Sequence, residues 1–287
     1  MIKFKDENLY TKLDILQKEF SKLKAKEILE FEIQNPNYKV LVDIGQIYYC
    51  KMLTPKIINE NTIIARYEKL NQNESFHKDT KDEEKYGVNS TFASIKKNEQ
   101  ASFLHYYKQA LKNVNINKRT KILNLGVNSG DEFEVIKNYA SNFENLELLG
   151  IDYSQSAIYE AQNNFKQKNI SFICANINEL YKLNLEEFDL IITIGTLQSS
   201  NIEFNILFQD IVQKYLKKTG AMILGFPNCR WIDGEMIYGA KAKNYQFPES
   251  SLLYKDVMFC KKYLQQKKYR VTITGKDYIF LTATSIR

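Results

Sequence analysis

From residue 120 onward the chain alternates. KILNL is followed by DEFEVIKNYASNF, LELLGID by SQSAIYEAQNNFKQKN, ISFICAN by a short polar helix, FDLIITIG by EFNILFQDIVQKYLKK, and GAMILGF comes next. Short apolar, β-branched runs separated by helical stretches imply parallel strands joined by crossovers, in a sheet covered by helices on both faces. The end breaks this rhythm. YRVTITG and DYIFLTAT are separated by little more than Lys276, which predicts an antiparallel hairpin. The expected fold is α/β: a seven-stranded, mostly parallel sheet with a C-terminal antiparallel hairpin, preceded by a smaller N-terminal α+β region.

The first part of the chain reads differently. Leu9, Leu13, Leu16, Phe20 and Leu23 fall on one helical stripe, predicting a helix over residues 8–31. Residues 38–53 and 61–68 are rich in β-branched and aromatic residues and are predicted as paired strands. Residues 71–90 are polar and charged, with few apolar anchors, and read as a linker. A helix is predicted at Thr91–Asn113. These boundaries divide the chain into an N-terminal accessory or substrate region at 1–75, a linker or lid at 76–100, and the alternating domain at 101–287.

Charge and cysteines narrow the classes. The net charge of +6 arises wholly in residues 255–287, which hold eight Lys/Arg and two Asp/Glu. That end is either a solvated lysine-rich helix face or a surface for phosphate. No apolar run of about 18 residues exists, so no membrane span is expected. MIKFKDENLY lacks the apolar core of a signal peptide. Cys50, Cys174, Cys229 and Cys260 lie far apart with no ligand spacing, which predicts no metal site and free thiols in a reducing cytoplasm.

Two stretches carry chemistry. In LNLGVNSGDE a buried strand breaks into Gly126, Asn128 and Gly130, at the carboxyl end of the first alternating strand, where open α/β sheets bind ligands. Glycine and asparagine there permit backbone shapes that other residues resist. LELLGIDYS ends in Asp152, also at a strand's carboxyl end. An acid so placed can accept both hydroxyl hydrogens of a ribose, or it can start the next helix together with Ser154.

These motifs resemble the Rossmann-like, class I S-adenosylmethionine-dependent methyltransferases over roughly residues 100–287. LNLGVNSG is similar to the family's first motif, LDxGxGxG, and GIDYS to its second. ISFICANINEL looks like the third, FDLIITIGTLQ like the fourth, and LKKTGAMILGFPN like the turn and strand that follow. The chain departs from the family in having Asn124 where Asp is common, Asn128 for Gly, and Asn176 for Asp. The resemblance implies S-adenosylmethionine as cofactor and S-adenosylhomocysteine as product. It places the cofactor on Asn124, Gly126, Asn128, Gly130, Asp152 with Tyr153, Asn176, Ile177, Ile194 and Gly195.

Methyl transfer from a sulfonium asks the protein mainly to align an acceptor and exclude water. The acceptor is expected among Tyr86, Tyr106, Gln198, Asn228, Arg230, Trp231, Glu235 and Tyr245, drawn from the lid region, the stretch Gly195–Gln198 after the fourth strand and the long stretch 225–245. His105 is the candidate general base. A small-molecule acceptor is the leading expectation. RNA, followed by the basic C-terminal segment, is the runner-up in the same class, and a non-catalytic scaffold is the alternative of another class. The oligomeric expectation is a monomer or homodimer.

Overall fold

The computed structural model describes residues 1–73, 87, 90, 95–199, 201–240 and 249–287. Two compact units emerge: residues 1–78 with 231–238, and residues 79–230 with 239–287. No described helix is long and apolar enough to cross a membrane.

The first unit is a four-stranded sheet with helices. Its elements run β1 (Ile2–Phe4), α1 (Leu9–Lys22), β2 (Ile28–Gln34), α2 (Tyr38–Ile47), β3 (Cys50–Asn59) and β4 (Thr62–Lys69). The strand order is β1-β2-β4-β3, with β1 parallel to β2 and the other pairs antiparallel. Leu16 and Phe20 of α1 and Leu41 and Ile44 of α2 bury against Phe31, Ala65 and Tyr67. Phe31 stacks on Tyr67, and the Tyr67 hydroxyl donates to the Leu41 carbonyl at 2.9 Å.

Here the structure corrects two expectations. The helix expected over 8–31 ends at Lys22, because the apolar spacing changes from helical to alternating: Leu29, Phe31 and Ile33 face the core as a strand, reached through Lys26 at φ 69°. Residues 38–47 are helical rather than extended. The Asn37 side chain accepts from the Val40 amide, and a capped N-terminus prevails over the β propensity of Val40, Val42 and Ile44.

The second unit carries the expected sheet. After α3 (Ala101–Asn113) come β5 (Lys121–Leu125), α4 (Asp131–Tyr139), β6 (Glu147–Asp152), α5 (Gln155–Asn164), β7 (Ile170–Cys174), β8 (Phe188–Ile194), α6 (Phe204–Asp210) and β9 (Leu216–Pro227). Next along the chain is the hairpin β10 (Cys229–Ile232)/β11 (Glu235–Tyr238), whose residues 231–238 belong to the first unit; the second unit resumes with α7 (Ser251–Gln266), β12 (Tyr269–Gly275) and β13 (Tyr278–Ser285). The seven strands lie in the order β12-β13-β9-β8-β5-β6-β7; β5 to β9 are parallel, and β12 and β13 form the antiparallel end. The central strands β5 and β8 are nearly all buried, as their continuous apolar runs require. On one face Phe208, Val257 and Leu264 cover Leu123, Ile191 and Met222. On the other, Phe103 and Tyr107 of α3 pack on Phe280.

Two further expectations shift. The helix predicted from Thr91 begins at Ala101; Thr91–Ser94 lie outside the described residues, and Lys97–Glu99 form a separate 3-10 turn ended by Gln100 in an extended shape. The stretch 225–245, read as a long loop, contains β10 and β11 around Asp233-Gly234, both at positive φ. That dipeptide is the standard two-residue hairpin turn, a signal present in the sequence and missed.

Candidate functional site

The carboxyl ends of β5, β6 and β8 converge on the glycine loop. Gly126 takes φ +76°, and a Cβ on it would lie 1.9 Å from the Thr196 hydroxyl oxygen. Thr196 follows β8 and donates that hydroxyl to the Leu125 carbonyl at 3.1 Å. Gly130 precedes α4 at φ +99°, and its Cβ would meet the Phe165 ring at 2.4 Å. Both glycines are therefore demanded by the protein's own packing. Asn128 adopts the left-handed shape at φ 46°. The loop is tied down by Gly126 and Val127, whose amides donate to the Ile151 carbonyl at 2.8 and 3.2 Å.

Asp152 ends β6 beside this loop and is 8% exposed. Its carboxylate accepts the Asn128 amide at 2.8 Å on one oxygen and the Ser154 amide at 3.0 Å on the other. The Tyr153 amide also bonds to this carboxylate, and of its roughly four lone-pair sites at least one remains for a ligand hydroxyl. Burial raises its pKa, opposed by the backbone N–H bonds. Ser154 caps α5 by accepting from the Ala157 amide at 3.3 Å, so the helix cap lies on Ser154 and not on Asp152.

The other cofactor candidates occupy the same strand ends. Asn176 follows β7 and its side chain accepts from the Asn178 amide at 3.0 Å; Ile177 is buried. Ile194 ends β8, and the amide of Gly195 donates to the Gly225 carbonyl at 2.8 Å. Tyr153 and Gln198 are exposed.

Acceptor candidates scatter more widely. Asn228, 8% exposed, lies just past β9; its Nδ2 donates to the Lys276 carbonyl at 3.1 Å and its Oδ1 is buried without a hydrogen-bond partner among the described residues. Its amide donates to the carbonyl of Asp277, a 5%-exposed acid whose side chain accepts from Ser102 of α3. Arg230 donates its Nε to the Gly239 carbonyl at 3.1 Å. Tyr106 is half-buried on α3, edge-on to His105, which is exposed. Trp231 and Glu235 belong to the first unit, where Glu235 pairs with Lys51 at 2.5 Å. Tyr86 and Tyr245 lie outside the described residues. Among the described residues, no group of three or more His, Cys, Asp or Glu could hold a metal ion.

Sequence reasoning missed a buried charge pair under the loop. Lys97, 12% exposed, places its ammonium 2.6 Å from Glu132, which is fully buried in the first turn of α4. Asn98 adds a bond from its Nδ2 to the Asp131 carbonyl at 3.0 Å. Burial alone would lower the Lys97 pKa, but Glu132 and Asp131 outweigh it and raise it; burial raises Glu132, against the pull of Lys97. No spacing in the sequence announces this pair, because its members are 35 residues apart. Lys97→Met leaves a buried carboxylate uncompensated, and we expect urea denaturation to show a loss of about 3–5 kcal/mol.

A cavity of about 470 Å³ opens beside the start of α4, lined by Asp131, Glu134 and Lys137 among others. It touches the loop only at Ser129 and Gly130 and excludes Asp152 and Gly195, so its size does not make it the site.

Residues 116–274 match a family model described as a methyltransferase domain. No curated protein matches the chain. Among solved structures, it is similar to an S-adenosylmethionine-dependent methyltransferase from Aquifex aeolicus at 15% identity, covering 68% of this chain and 98% of that one, with a TM-score of 0.46. It is also similar to a plantazolicin methyltransferase at 13% identity, covering 67% and 88%, with a TM-score of 0.47. The family match spans more than half of the chain and takes in both the glycine loop and the strand-end acid. The chain accordingly belongs to the methyltransferase-domain family.

Proposed function

We propose that this methyltransferase acts on a small-molecule acceptor bearing hydrogen-bond donors. One observation carries the reading. Past the ends of β9 and β12, Asn228 and Asp277 form a buried pair that offers an unpartnered amide oxygen and a carboxylate that already accepts from Ser102 and lies 4.0 Å from the Lys276 ammonium. Such acceptors suit an amine or hydroxyl.

The residues present fit the cofactor. Asp152 keeps at least one lone-pair site for a ribose hydroxyl, and Asn124 carries a fully buried Oδ1 with no partner among the described residues, at the foot of the loop. In this reading Asp152, with Tyr153 beside it, holds the ribose. Asn176 and the Ile177 amide face the adenine. Asn124, the loop from Gly126 through Asn128 to Gly130, and Ile194–Gly195 border the amino-acid portion. Bound there, the cofactor supplies an electrophilic methyl group on a sulfonium. The protein orients the acceptor with Asn228 and Asp277, and Arg230, Tyr106 and Gln198 are further candidates for its contacts. His105 lies on the exposed side of α3 and enters no step.

The test is titration calorimetry of the full chain with S-adenosylmethionine and S-adenosylhomocysteine, followed by a screen of small amines and alcohols. We expect micromolar binding of both and methylation of at least one acceptor. Binding to neither sinks the cofactor placement. Co-purified RNA, with affinity that falls steeply as salt rises, would replace the small molecule by nucleic acid held on Lys267, Lys268 and Arg270.

A further inference from the structure

The buried pair under the loop has a chemical effect on its third neighbour. Asn124 is fully buried in β5, and its Nδ2 donates to one oxygen of Glu132 at 3.3 Å. The other oxygen of Glu132 takes the Lys97 ammonium at 2.6 Å. A carboxylate paired with an ammonium can only accept. The Asn124 amide therefore has one permitted orientation, since turning it over would set Oδ1 against a carboxylate oxygen. Its Oδ1 is left as an acceptor, fully buried, with no partner among the described residues, two residues before Gly126.

We propose that Glu132, held by Lys97, is a positioning residue that fixes the Asn124 amide with its oxygen presented to the α-ammonium of the cofactor's amino-acid end. The proposal rests on the cofactor reading above, and names which end of the ligand this cluster serves. The ribose and adenine donors are assigned there to Asp152 on β6 and to Asn176 past β7, which leaves the ammonium as the donor without an acceptor. The arrangement also accounts for an asparagine at 124. An aspartate there would face Glu132 across 3.3 Å, two like charges in a buried place. The acid instead sits in the first turn of α4, where Lys97 neutralises it, and a neutral oxygen remains at the foot of the loop.

Two ligands separate this role from a merely structural one. S-adenosylhomocysteine carries the amino-acid end; 5′-methylthioadenosine keeps the adenine, ribose and sulfur but lacks it. Calorimetry on the full chain should show Glu132→Gln weakening S-adenosylhomocysteine about tenfold, the effect of one hydrogen bond, while methylthioadenosine stays within about twofold. Glutamine can donate as well as accept, so it no longer dictates the orientation of Asn124. The exchanged double variant Asn124→Asp with Glu132→Gln returns a fixed acceptor to position 124 and should restore the preference for S-adenosylhomocysteine.

Equal weakening of both ligands by Glu132→Gln, or of neither, overturns the proposal. If Glu132→Gln does not fold, the double variant decides alone: a wild-type preference supports the proposal and a lost preference overturns it. A wild-type chain that binds neither ligand refutes the cofactor reading itself, and is distinct from every outcome above.

Discussion

Asp152→Ala will reduce affinity for S-adenosylmethionine and S-adenosylhomocysteine by at least about tenfold while the chain stays folded. Hydrogen bonds to a charged group contribute about 1.5–3 kcal/mol each, and the proposed ribose makes at least one. The substitution also strands the amides of Asn128 and Ser154, which now donate to the carboxylate at 2.8 and 3.0 Å. That cost is real but local, because the sheet core lies on Leu123, Ile191 and Met222 and loses no contact. Circular dichroism should therefore show a folded chain with a melting temperature lower by several degrees. Unchanged affinity would mean that the ribose is held elsewhere.

Acidification offers an independent reading of the same group. Burial raises the Asp152 pKa, so the carboxyl takes up its proton at a higher pH than an ordinary aspartate, near 3.9. A raised pKa also means that this group's contribution to stability is present at low pH and is lost as pH rises through its folded value. Affinity for S-adenosylhomocysteine should thus decline on acidification before Asp152 gives the chain any reason to unfold. An affinity that does not fall at any acid pH at which the chain stays folded, including pH values below the ordinary aspartate range, would place the acid outside the ribose contact.

The second large effect is expected at Gly126. Alanine there must adopt φ +76° and set its Cβ 1.9 Å from the Thr196 oxygen and 2.6 Å from its methyl carbon. The left-handed shape alone costs about 1–2 kcal/mol, and the overlap forces the β5 and β8 loops apart. We expect Gly126→Ala to lose at least about 2 kcal/mol of stability, read by urea unfolding, together with most of its cofactor affinity. Adding Thr196→Ala removes the two nearest atoms but not the Thr196 Cβ at 2.7 Å, so recovery should be partial. Full recovery would show that crowding alone fixed the glycine; no loss in Gly126→Ala itself would show that the loop yields freely.

The alternating domain was legible because its signals are local and repeated. Runs such as KILNL and FDLIITI are continuous and apolar, and both became buried parallel strands in the expected order. Asp152 and the Gly126–Gly130 loop could be placed at strand ends for the same reason. The N-terminal unit was less readable. Ile28 and Phe31 can extend the stripe of α1 or open an alternating strand, and only pairing with β4 decides between them. Lys97 and Glu132, and likewise Ser102 and Asp277, meet across long stretches of sequence, so no motif length could contain them.

The first unit includes residues 231–238. Ile232 and Ile237 complete a cluster with Leu70 and Tyr49, and Asp233 accepts from the Lys26 ammonium and the Asn71 amide. Gln46 bonds both to the Met236 carbonyl and to the Tyr238 amide. The four-stranded sheet and its core lie wholly within residues 2–69, so they pair without the hairpin. Leu70 and Tyr49 wait through the synthesis of most of the seven-stranded sheet before Ile232 and Ile237 arrive, so a nascent chain stalled before residue 231 carries a paired sheet with this one apolar cluster still open, a transient claim on chaperones.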